Sequence, residues 1–83
     1  MDVKALGQRL RELRGERSKD DVVRTIEAKQ GFRMSQEALR VLERGVVESP
    51  GFTILDALAR EYGTTVEYIV CGVRDEPLRA AKA

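Results

Sequence analysis

The 83-residue sequence predicts an all-α fold, a compact five-helix bundle, on three observations. Apolar residues recur in steps of three and four through successive segments, residues that cap helices bound those segments, and no stretch alternates apolar with polar side chains as a half-buried strand does. With 42% hydrophobic residues at this length, the chain supports one modest core, so a single domain without a second is the expectation. The expected organisation is one domain over residues 1–71 and a short C-terminal tail over 72–83, where no periodic stripe is visible.

The first helix is carried by Val3, Leu6, Leu10 and Leu13, which trace one stripe with Lys4, Arg9, Arg11 and Glu12 off it, until Gly15 interrupts the pattern. Ser18 is the N-cap of a second helix, and Asp20 and Asp21 in its first turn sit against the positive end of the helix dipole. Val22, Val23 and Ile26 form its inward side, and Gly31 ends it after Lys29 and Gln30. Ser35 caps the third helix, from 36 to about 44, with Met34 and Leu39 placed as a hydrophobic staple and Gly45 closing it. On a wheel of ~100° per residue, Ala38, Leu39 and Leu42 share one arc while Gln36, Glu37, Arg40 and Arg44 lie opposite. Ser49 and Pro50 supply the N-cap and first position of a fourth helix whose buried stripe is Phe52, Leu55, Leu58, Ala59 and Tyr62, ended by Gly63. Thr65 caps a short fifth helix, 66 to about 70.

Histidine is absent and Cys71 is the one cysteine, which excludes disulfide frameworks, Cys/His zinc sites, Ser-His-Asp triads and Cys-His dyads. No Gly-rich phosphate loop or metal-ligand spacing is present, so the expectation is a protein that is not an enzyme, with no metal and no cofactor. Cys71 reads as a small core residue rather than a redox sensor, having no resolving thiol. A lone thiol, no apolar run of membrane-spanning length and no secretory core at the N-terminus make the expectation a soluble, cytoplasmic chain without a membrane partner. Fifteen basic against fourteen acidic residues give a net charge of +1, but residues 1–44 hold eleven Lys/Arg and eight Asp/Glu, so the basic side is the N-terminal half.

The order of these pieces carries the functional signal. Leu10-Arg-Glu-Leu-Arg14 is followed by Ser18-Lys-Asp-Asp-Val-Val23, then Met34-Ser-Gln-Glu-Ala-Leu-Arg-Val-Leu-Glu-Arg-Gly45, then Pro50-Gly-Phe-Thr-Ile-Leu-Asp-Ala-Leu-Ala-Arg-Glu-Tyr-Gly63 and Thr65-Val-Glu-Tyr-Ile69. From about Leu6 to Val70 this set resembles the lambda-repressor-like (Cro/CI-type, XRE family) helix-turn-helix DNA-binding domain. The resemblance implies a transcriptional regulator, repressor-like, that binds double-stranded DNA as a homodimer with its third helix in the major groove. Gln36, Glu37 and Arg40 are then the base-contacting residues: Gln pairs with adenine, Arg with guanine, and Glu37 either accepts from a cytosine amino group or pairs with Arg40 or Arg33. Ser18, Lys19, Lys29, Arg33, Ser35 and Arg44 are the phosphate contacts, which position the protein without reading sequence. Val41 touches a thymine methyl or extends the core. The resemblance also implies an ion pair between Arg14 and Glu43, with two separately solvated charges as the alternative.

The chain departs from the pattern in three places. Ser18 and Ser35 lie about six positions further apart than in the compact motif, so residues 27–33 either extend the second helix or form a loop whose Lys29 and Arg33 reach DNA, with Phe32 plugging the gap it opens. The turn from Arg14 to Ser18 is about two residues shorter than usual. After the third helix, Val46, Val47 and Glu48 stand where relatives often carry basic or amide residues facing phosphate, so either fewer phosphates are neutralised, giving a shallower salt dependence, or the two valines belong to a protein contact. Tyr68, Val70, Cys71 and Val73 offer a dimer surface, unless they only seal the core. The alternative to a regulator is a protein-interaction module on the same fold, such as an antitoxin or an accessory factor with a protein partner.

Overall fold

In the computed structural model, which describes residues 2–72, helix formation begins at the second residue. The Asp2 carboxylate accepts from the Ala5 N–H at 3.1 Å and starts α1 (Val3–Arg14). The Ser18 hydroxyl accepts from the Asp21 N–H and starts α2 (Lys19–Gln30), and the Ser35 hydroxyl accepts from the Ala38 N–H and starts α3 (Gln36–Arg44), both at 3.0 Å. The fourth and fifth helices are α4 (Phe52–Tyr62) and α5 (Val66–Cys71), the latter capped by Thr65. Each cap gives a partner to an amide that the helix cannot itself satisfy. Gly31 ends α2 at φ 70°, a left-handed conformation that a β-carbon would disfavour, and residues 31–35 then run without regular structure to the next cap. The extra length between the two serine caps is thus shared between a longer second helix and an irregular connection.

Every helix sends at least one side chain into a common core. Leu6, Leu10, Val22, Ile26, Leu39, Leu58 and Ile69 are fully buried there, and Leu13, Phe32, Met34, Tyr62 and Val70 pack against it half-buried. α1 lies on α3 and α5, α2 on α3 and α4, and α4 on α5. The α1–α3 approach is close because Gly7 carries no side chain: a β-carbon there would stand 2.6 Å from the Glu43 carbonyl oxygen and 2.7 Å from that of Leu42. Arg9, off the apolar stripe, reaches across to α5 and donates to the carbonyls of Ile69 and Val70 at 2.9 and 3.1 Å, which gives the end of that short helix the acceptors' partner it otherwise lacks.

A half-buried ionic cluster, centred on the buried Glu43 and the Glu61 side chain, ties the helix ends together. Arg14 grips Glu43 through one guanidinium edge, Nε and Nη2 donating to the two carboxylate oxygens at 2.7 and 2.8 Å, and donates through Nη1 to the Arg17 carbonyl at 2.7 Å. Arg17 in turn pairs with Asp21 and with Glu61, whose side chain is 4% exposed. The Tyr62 hydroxyl is buried beside this cluster with no hydrogen-bond partner among the described residues. Burial above all, then the Glu43 carboxylate, push it up to about 12, against the opposing charges of Arg14 and Arg17.

Three sequence expectations are corrected. α4 is capped by Gly51, without a side-chain bond, and begins at Phe52 instead of at Pro50. Glycine takes the extended cap conformation readily, so Pro50 is left in the approach to the helix. Phe52, placed in the buried stripe, is 70% exposed, because the first turn of α4 overhangs the core: Gly51 and Thr53 on either side of it are exposed as well. Cys71 is exposed, not a core residue. With Ile69 fully buried, a residue two positions on is turned ~200° away from the interior.

Candidate nucleic-acid interface

Capping and packing together orient α3. Leu39 and Leu42 hold it to the core and Glu43 to Arg14, so Gln36, Glu37, Arg40 and Arg44 are left in solvent on the other side. Neither Gln36 nor Arg40 is covered by the chain's own packing. Both are oriented by carboxylates. Gln36 donates its amide N–H to Asp20 Oδ1 at 3.0 Å, which bridges the first turns of α2 and α3, and Asp20 also pairs with Arg24. Arg40 donates through Nε to Glu37 Oε1 at 2.9 Å and through Nη2 to Oε2. The two hydrogen bonds from Arg40, reinforced by the charges of Arg40 and Arg44, hold the Glu37 carboxyl below its usual range, and the same bonds push the Arg40 guanidinium up.

Glu37 pairs with Arg40, while Arg33 pairs with Glu27 at 3.1 Å. Val41 is half-buried and, with Ala38, Val47, Pro50 and Ile54, lines an apolar groove of about 170 Å³ between α3 and the start of α4. Val46 and Phe52, 58% and 70% exposed, are the exposed large hydrophobic residues among those described.

Of the residues assigned to phosphate, Lys19, Lys29 and Arg44 form no ion pair among the described residues, whereas Arg33 is engaged. Ser18 and Ser35 are exposed; each hydroxyl accepts a cap bond and keeps its own proton as a donor. Lys29 also borders a second cleft of about 390 Å³, with Phe32 and Arg60, where the end of α2 meets α4 and Gln30 donates to the Ala57 carbonyl at 2.9 Å. On α5, Tyr68 and Val70 are half-buried and Cys71 is exposed; Val73 lies outside the described residues. Asp20 and Glu27, which orient Gln36 and Arg33, are not placed in the site by the sequence, where Asp20 reads only as a first-turn acid against the helix dipole. Asp20 looks like an ordinary first-turn acid until tertiary packing brings α3 beside it.

Among the described residues no group of three or more His, Cys, Asp or Glu side chains could hold a metal ion, and no helix is long and apolar enough to cross a membrane. No family model, curated protein or solved structure matches the chain.

Proposed function

We propose that this protein is a cytoplasmic, sequence-specific transcriptional regulator, repressor-like and not an enzyme, that binds a double-stranded DNA operator as a homodimer through a lambda-repressor-like helix-turn-helix formed by α2 and α3. The observation that carries the reading is the α3 surface, where Gln36 and Arg40 stand in solvent at the start and middle of a helix whose opposite face is anchored. Laid in the major groove, this helix offers base edges a donor–acceptor pair from Gln36 and a donor fork from Arg40. Asp20 takes one N–H of the Gln36 amide and fixes which end points where; the remaining N–H and the carbonyl complement adenine N7 and N6. Lys19, Lys29 and Arg44, with the Ser18 and Ser35 hydroxyls and the amides at both helix starts, would neutralise and hold phosphates; Arg33 would join them by releasing Glu27. A module this small buries modest DNA surface, which favours two copies on a near-palindromic site.

Selection of bound sequences from a random duplex pool, followed by binding across a salt series, tests this. A defined site should emerge, and Lys29→Ala should weaken every duplex alike and lower the slope of log affinity against log salt by about one. Equal affinity for all duplexes would favour the second reading, a protein-interaction module such as an antitoxin or accessory factor. That reading is favoured by one observation, the apolar groove lined by Val41, Val47 and Ile54, with Val46 and Phe52 exposed next in sequence to its lining residues Val47 and Gly51.

A further inference from the structure

Arg40 and Glu37 form a two-bond ion pair on the exposed face of α3. The side chains are 45% and 64% exposed, so in water their pairing is weak and its value lies in geometry. Glu37 occupies the Nε edge of the guanidinium: its two oxygens accept from Nε and Nη2. Both hydrogens of Nη1 and one of Nη2 remain, and the outward pair of these forms the parallel fork that fits guanine N7 and O6. A lone arginine on this face would be drawn to any nearby phosphate, whatever the base. Paired with a carboxylate it carries no net charge, so that pull is cancelled while the fork is kept. Entry into the groove removes water from both side chains and strengthens their mutual hydrogen bonds. The same neutrality explains how a carboxylate is tolerated on a helix facing polyanionic DNA.

We propose that Glu37 is a positioning residue that turns Arg40 from a phosphate contact into a guanine reader, so that the operator half-site carries a guanine recognised by the neutral Arg40–Glu37 pair. This rests on the DNA-binding reading and names the substrate that the reading leaves open.

The test uses the full chain and the duplex recovered by selection, with the wild type, Glu37→Gln and the double variant Glu37→Gln/Arg40→Met. Each is measured against that duplex, against one whose guanine is replaced by deazaguanine lacking N7, and against unrelated duplex, over a salt series, with melting curves to confirm folding. In the wild type, loss of N7 should cost about tenfold in affinity. In Glu37→Gln that discrimination should shrink several-fold, while binding to unrelated duplex tightens and the salt slope steepens by about one as the freed Arg40 takes a phosphate. The double variant should return to the wild-type slope and discriminate least. A structural role for Glu37 would not steepen the slope. If a defined site is selected but Glu37→Gln leaves discrimination and slope unchanged, or if no guanine in the site depends on N7, the inference is overturned and DNA binding stands. If no duplex is preferred at all, the DNA-binding reading itself falls.

Discussion

Tyr62 shows how one atom can work against the fold that surrounds it. Its ring fills space against the core, yet its hydroxyl is buried beside two ion pairs with no partner among the described residues. An unsatisfied buried polar group costs about 1–3 kcal/mol, so Tyr62→Phe, which keeps the ring, should stabilise the protein by about 1 kcal/mol in urea titrations at neutral pH. The same residue links stability to alkaline pH. Its folded value, about 12, is above the ordinary value of 10.0, so the unfolded chain ionises first. Stability from this group is complete below pH 10 and is lost as pH rises from there toward 12. The difference in stability between wild type and Tyr62→Phe should therefore widen over that window; a constant difference would mean that the hydroxyl is solvated in the folded state.

Among the elements, the α1–α3 contact is the most exacting. Gly7 has ordinary helical geometry and lies one position from the apolar stripe, so nothing in the sequence distinguishes it from a helix-weakening residue. The carbonyls of Leu42 and Glu43 explain it. Gly7→Ala should improve helix propensity and still destabilise the protein by about 1–3 kcal/mol, since backbone atoms would have to separate. Thermal melting checks the sign. Under the regulator reading, a displaced α3 should also weaken duplex binding beyond what the change in stability explains. Caps, by contrast, were legible: Ser18, Ser35 and Thr65 begin helices where their local hydrogen-bonding chemistry predicts. The start of α4 was not, since Ser49-Pro50 and Gly51 are both acceptable entries and packing chooses between them.

For the molecule as a whole, the open question is which surface faces a partner. The polar side of α3 and the apolar groove meet along the same helix, since Ala38 and Val41 line the groove, and Phe52 follows its lining residue Gly51 in sequence. Phe52→Ser should change stability by no more than about 0.5 kcal/mol, because the ring lies 70% exposed. Under the regulator reading, with α5 and the tail joining two copies, it should also leave the sedimentation behaviour and the selected duplex unchanged. A shift to a smaller species would transfer the dimer contact to the groove. A net charge of only +1 conceals the polarity of the surface: several basic residues of the N-terminal half are matched by acids, and Lys19, Lys29 and Arg44 are not matched among the described residues.

Amino-acid order alone determined the all-α class, the helix starts at the serine and threonine caps, the central core residues and the outward set on α3, because each follows from 3.6-residue periodicity and near-neighbour hydrogen bonds. Tertiary structure alone decided that Asp20 aims Gln36, that Arg9 closes α5, that Gly7 admits α3, and that Phe52 and Cys71 face solvent. Those outcomes depend on where one helix ends relative to another, a distance through space that no local pattern along the chain encodes.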